Sequence, residues 1–188
     1  MVPDDTVTAI HEAAHAVMAL LVARDFAQVK RVSILPEADY KGIIEFEEKY
    51  DLTFSKREWD QLDGKIPMDA SAFAALQKKG EAFVMVRMAG QIVELYLTAP
   101  PTARSVRPQD EETLADDEMK INAVLDVITQ NREAKRLELW NKAQRLVGPY
   151  AQVFVYVTQR LLQAGVLEGE LWEEVKIEAL QMIDQIST

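Results

Sequence analysis

Val7-Thr8-Ala9-Ile10-His11-Glu12-Ala13-Ala14-His15-Ala16-Val17 opens a run, residues 7–23, in which nearly every side chain is apolar or small. Val7, Ile10, Ala14, Val17 and Leu21 recur at helical spacing, and Ala13, Ala16 and Leu20 widen their stripe. A helix that is apolar on almost every side belongs in the interior of a domain. One narrow strip differs. Thr8, His11, Glu12 and His15 share it, because residues three and four apart lie on one face of a helix. Two imidazoles and a carboxylate are costly to bury unless something satisfies them, and a bound metal ion would.

His-Glu-x-x-His is the zinc-binding pattern of metallopeptidases. Its spacing aims His11 and His15 at one point, about one helical turn apart, and neutral imidazole is a good zinc ligand. Glu12 sits too close to the first ligand to be a comfortable third one, but is well placed to take a proton from a water at the metal. The alternative is a core helix with two hydrogen-bonded histidines. It is the weaker reading, because the sequence has two histidines and both fall inside the pattern.

At 188 residues the expectation is one domain, 1–188, with a helical C-terminal portion from about 131 to 188. A chain of this length can bury about 70% of its unfolded surface, enough for a sizeable core. The net charge of −10 argues against a nucleic-acid partner, whose phosphates need basic surface. It also argues against binding to anionic membranes. No apolar run reaches the roughly 18 residues of a membrane span. There is no cysteine, hence no disulfide and no thiolate zinc site. Asp4 and Asp5 stand where a targeting peptide would be basic, and a cytoplasmic location is expected. No phosphate loop is present.

The remaining elements read as mainly α with one small sheet. Asp4, Asp5 or Thr6 starts the first helix, which should end near Asp25. Residues 29–35 and 42–47 suit a β-hairpin turning across 36–41, its second strand carrying a wet face of glutamates. Residues 51–67 look irregular, with a short turn near 56–62. A helical stretch from Asp69 or Ser71 should run to Lys78, stop at Gly80, and give way to a second helix over 81–98. Residues 102–112, polar and without apolar anchors, are expected to be mobile. Thr113-Leu114-Ala115-Asp116 has capping-box form and opens the next helix. Helices over 131–147, 150–164 and 171–186 follow, the first with its charges on a solvated face. Trp59, Trp140 and Trp172 are expected to pack.

A catalytic zinc takes three protein ligands and leaves one position open. With no further histidine and no cysteine, the third ligand must be a carboxylate. Glu94, in an otherwise apolar helix, and the cluster Asp116-Asp117-Glu118 are the candidates. Spacing alone does not choose among them.

Four blocks spread over residues 6–165 resemble, in order, the peptidase domain of the FtsH-type ATP-dependent zinc metalloproteases. Thr8 to Val17 is similar to that family's zinc helix. Val29-Lys30-Arg31-Val32-Ser33-Ile34-Leu35-Pro36 resembles the strand that follows it, with Gly42 as the turn glycine. Met88-Ala89-Gly90-Gln91-Ile92-Val93-Glu94 resembles the family's Ala-Gly helix. The resemblance implies an aspartate ligand at the start of the next helix, and Asp117 fits it, with Ile121, Leu125 and Ile128 at offsets four, eight and eleven. Asp116 fits worse, because Lys120 would take the first offset. The departures are Ala14 in place of a glycine, Thr113-Leu114-Ala115-Asp116 in place of a Gly-Ala-Ser segment, and Glu118 in place of an apolar residue.

The resulting expectation is a helical zinc-peptidase domain with a small β-hairpin beside the His-Glu-x-x-His helix. His11, His15 and Asp117 hold Zn2+, Glu12 is the general base, and Glu94 holds an imidazole N–H from behind. The substrate is an unfolded or extended polypeptide, which could add to a strand edge. The family resemblance leaves room for a separate ATPase or unfoldase partner and for a homo-oligomer. The rival class is an inactive peptidase-like module that binds polypeptide.

Overall fold

Helix α1, Asp4–Val22, runs through the middle of the core in a computed structural model that describes residues 4–25, 27–36, 42–47, 53–98 and 115–187. The near-continuous apolar surface read from its sequence is used on several sides. Ala9, Ala13, Ala14, Ala16, Val17 and Met18 have no exposed surface. The helix packs against α3 (Ala70–Thr98) and α6 (Ala151–Ala164), and more lightly against the sheet and α7 (Gly169–Ile186). Small residues make this possible, since alanines let neighbouring helices come close. The backbone bonds Ala23 N–H to Ala19 O and Ala27 N–H to Ala23 O carry the chain on past the helix end, and Arg24 Nε donates to Leu20 O at 2.6 Å.

The chain is mainly helical, with seven helices and three strands among the described residues. Strand β1 (Val29–Ser33) pairs antiparallel with β2 (Ile43–Phe46), as the hairpin reading expects. The connecting residues 37–41 lie outside the described residues. A third strand, β3 (Val166–Glu168), was not foreseen. It pairs antiparallel with the other side of β1, so the order is β2-β1-β3. Three residues are too few to show alternation, and they sit between glycines at φ 74° and 56°, Gly165 and Gly169, which read as turns. Trp172, buried at the start of α7, donates its indole N–H to Val29 O at 2.7 Å and ties that helix to the sheet. On β2 the acidic face is only partly wet, because Glu45 pairs with Arg31 at 3.1 Å.

Three other expectations need correction. The short turn near 56–62 is a complete helix, α2 (Lys56–Leu62), opened by a capping box between Ser55 and Glu58. The helix expected to stop at Gly80 does not stop. α3 is one helix of 29 residues, started by Asp69, whose Oδ1 accepts from Ala72 N–H at 2.8 Å. Gly80 is a packing residue. A methyl there would lie 2.9 Å from Ile128 Cγ2 and 3.2 Å from Phe54 Cζ and Val124 Cγ1. The missing side chain lets α4 (Ala115–Ile128) lie against α3, and that contact offsets the roughly 1 kcal/mol of helix propensity that glycine costs. The charged face of α5 (Arg132–Val147) is not wholly solvated. Arg136 is buried and bonded to Asn122 and Glu118, and Lys135 reaches Glu81 at 3.0 Å. A period-3.6 pattern separates apolar from charged positions but does not reveal which charges meet partners on neighbouring helices.

The loop expectation for 102–112 and the Thr113 end of the capping box fall outside the described residues. No helix among the described residues is long and apolar enough to cross a membrane.

The Gly80 contact makes the first prediction. Gly80→Val should lower the unfolding free energy by about 1–3 kcal/mol, because the added methyls have no space and Ile128 cannot turn its branched carbon away. Urea unfolding measures this. An unchanged midpoint would mean that α3 and α4 are not in close contact there.

Candidate metal centre

α1 places His11, Glu12 and His15 on the strip that faces α3 and α4. Glu12 and His15 are buried. The His15 ring is fixed first. Its Nδ1 lies 2.7 Å from Val86 O on α3. A carbonyl can only accept, so Nδ1 donates to it, and Nε2 is the nitrogen on the opposite side of the ring that faces the site. That Nε2 lies 3.2 Å from Asp117 Oδ2. His11 Nε2 lies 3.4 Å from the same oxygen. The two rings meet edge to face, with centroids 4.7 Å apart.

Asp117 comes from the first turn of α4, where the helix N-terminus favours a carboxylate. Its neighbours, the rival candidates, are engaged elsewhere: Asp116 pairs with Lys120 and Glu118 with Arg136. Glu94 lies behind His11, with Oε2 3.9 Å from Nδ1. That is an electrostatic distance, too long for a hydrogen bond. One turn earlier on α3, Gly90 makes room for the ring. A methyl there would fall 2.5 Å from His11 Cε1. Gly42, just before β2, does the same for the base, since a methyl would fall 2.8 Å from Glu12 Cγ and from Thr8 Cγ2. The sheet therefore begins directly against Glu12.

Electrostatics follow from this crowding. Burial pulls the His11 imidazole down, but the carboxylates of Asp117, Glu94 and Glu12 outweigh it and push its pKa up to about 10. Burial pushes the Asp117 carboxyl up, but His15, His11 and Arg87 overcome this and hold it far below the usual carboxylate range. Glu12 shifts the other way. Its burial raises the carboxyl above its ordinary value against the opposing pull of His15 and His11.

His11, His15 and Asp117 could hold a metal ion, with one ligand atom each and all three within 4.8 Å of one another. Zinc–nitrogen and zinc–oxygen bonds of about 2.0–2.2 Å in a tetrahedral arrangement put ligand atoms roughly 3.3–3.5 Å apart. The two separations to Asp117 Oδ2 match that edge. Two imidazoles and one carboxylate fit zinc, and they fit other divalent transition ions as well.

The structure thus brings His11, His15, Asp117 and Glu12 together and sets Glu94 at the margin. Sequence reasoning missed Arg87, whose Nη1 donates to Asp117 Oδ1 at 3.1 Å. A signal was present, because Arg87 is the one basic residue over 81–98, flanked by the apolar runs Ala82–Val86 and Met88–Ala89. The Val86 carbonyl and the ring-accommodating role of Gly90 leave no mark in a sequence. No known family model matches the chain, and no curated protein matches it.

Two predictions follow from the donor set. His15→Ala and Asp117→Asn should each lower zinc affinity by a large factor, whereas Asp116→Asn should change it little. Chelator competition on protein purified without chelators measures this, and zinc retained in His15→Ala would overturn the site. The second concerns pH. In metal-free protein His11 is protonated at neutral pH, its pKa being about 10, and a ligating imidazole must be neutral. Zinc affinity should therefore rise by about tenfold per pH unit between roughly pH 6 and 9, with a proton released for each ion bound. Conversely, the stability that metal-free protein gains from protonated His11 is complete below pH 6.5 and is lost as the pH rises through about 10. A flat pH profile of zinc affinity would rule out displacement of a proton from His11.

Proposed function

We propose that this chain is a zinc-dependent metallopeptidase that hydrolyses peptide bonds in unfolded or extended polypeptides. The observation that carries the proposal is the convergence of His11, His15 and Asp117 beside the buried carboxyl of Glu12. His11, His15 and Asp117 would hold the zinc. When bound, zinc supplies a Lewis acid that lowers the pKa of a coordinated water to about 7 and polarises a carbonyl.

Glu12 takes the proton of the attacking water and passes it to the leaving amine. A base that must later act as an acid works best with a pKa near the working pH, and burial moves the Glu12 carboxyl in that direction. His15 is oriented by the Val86 carbonyl, and His11 is kept in place by the space at Gly90. Residues on β2 hold the substrate. One edge of β2 pairs with β1, while its other edge pairs with no strand among the described residues. The strand begins against Glu12, so a polypeptide added along that edge would pass the base in extended form. Such a mode excludes folded substrates, and a separate ATPase that delivers unfolded chains would complement it. The resemblance of the four sequence blocks to FtsH-type peptidases supports the same assignment.

The test separates chemistry from binding. Glu12→Gln keeps the side chain's shape and its hydrogen bond to water but cannot accept a proton. It should retain zinc and lose about 10²–10⁴-fold of the hydrolysis rate on an unfolded, casein-like substrate. Full activity in Glu12→Gln would eliminate the mechanism. Absence of hydrolysis by zinc-loaded wild type would move the assignment to a polypeptide-binding module.

A further inference from the structure

We propose that Arg87 is a positioning residue that makes Asp117 present one oxygen, Oδ2, to the cation and withholds the other. The proposal rests on the reading that His11, His15 and Asp117 hold a metal ion. A carboxylate has two oxygens and a soft rotation about its last bond. Left alone beside a divalent ion, it can turn to offer both.

Here the two oxygens are already divided. Oδ2 lies 3.2 Å from His15 Nε2 and 3.4 Å from His11 Nε2. Oδ1 accepts a charge-assisted bond from Arg87 Nη1 at 3.1 Å. The guanidinium is itself held, with its carbon 5.5 Å from the ring centre of Phe83, one turn earlier on α3. The placement is costly. Arg87 Nε is buried and has no hydrogen-bond partner among the described residues, and such orphaned groups call for an explanation. Packing alone would be served better by an apolar residue at this position, between buried Val86 and Met88. Holding Asp117 explains it.

Arg87 could instead merely neutralise a buried carboxylate. The two roles differ in sign. A cation beside a metal ion repels it, so removal of a merely compensating arginine should tighten metal binding. Removal of an arginine that aims the ligand should weaken it.

The experiment compares wild type, Arg87→Met, Asp117→Asn and the double variant, all purified without chelators. Zn2+ affinity comes from chelator competition, ligand geometry from the visible spectrum of the Co2+-loaded proteins, and folding from circular dichroism and thermal unfolding of the metal-free forms. The expected result is that Arg87→Met binds zinc about 10–100-fold more weakly and shifts the cobalt bands, because Oδ1 is free to turn. Adding Arg87→Met to Asp117→Asn should weaken binding no further, since the arginine aims the ligand only through that carboxylate. Unchanged or tighter binding in a folded Arg87→Met, or an unaltered cobalt spectrum, overturns the proposal. Should Arg87→Met fail to fold with its carboxylate unpaired, Arg87→Lys keeps the charge but not the fixed planar donor. Weaker zinc binding and shifted cobalt bands in that variant sustain the proposal, and wild-type affinity with an unaltered spectrum overturns it. Wild type that takes up no metal removes the proposal and the peptidase reading together. Metal uptake that depends on Arg87, without hydrolysis of protein, removes only the peptidase reading.

Discussion

The rest of the structure depends on the burial of a polar strip on an otherwise apolar helix. His11, Glu12 and His15 cannot reach bulk water freely from the core, and each must find its partners in other elements. Those partners come from α3 and α4: the Val86 carbonyl for His15, and Asp117 for both rings. Buried carboxylates in turn need cations or imidazoles, which Arg87 and His11 provide. The site is therefore a condition of the packing as much as a product of it. An apolar α1 could sit in the same place with fewer requirements.

One face of α3 organises most of these requirements. Phe83, Val86, Arg87, Gly90 and Glu94 follow one another at helical spacing of three, one, three and four residues. Phe83 supports the guanidinium, Val86 orients His15, Arg87 takes one oxygen of Asp117, Gly90 yields space to His11 and Glu94 stands behind it. Farther back on the same helix, Gly80 admits Val124 and Ile128 of α4. This sets the approach of α4 that brings Asp117 to the rings. Two glycines thus fix two distances, one between α3 and α1 and one between α3 and α4.

The sequence made parts of this legible for identifiable reasons. α1 was readable because its apolar positions cover nearly its whole circumference and leave one polar strip. The β1–β2 pairing was readable because β-branched residues on both sides flank a proline and a glycine. Asp117 was singled out only through the family resemblance, which implies an aspartate ligand followed by apolar residues at the offsets that Ile121, Leu125 and Ile128 occupy. Its acidic neighbours looked alike in isolation, and only the structure shows them paired with Lys120 and Arg136. Gly80 was misread because a glycine that ends a helix and one that admits a neighbouring helix look the same in one dimension. β3 was missed because its pairing is set by a partner far away in the chain, not by its own three residues.

That distant partner has a consequence for how the molecule forms. β1 sits between β2 and β3, and its register with β3 joins Arg31 to Glu168 and Val32 to Leu167. Chains emerge from the ribosome N-terminus first, so α1, β1 and β2 exist long before β3 does. Until then β1 carries an unpaired edge, and the indole that bonds Val29 O has not been made. Contacts of such sequence separation slow folding, because chain closure costs entropy before any contact repays it. The nascent chain must therefore carry its most apolar helix and an open strand edge until residues 166–168 have emerged. That interval is when a holding chaperone would matter most to it.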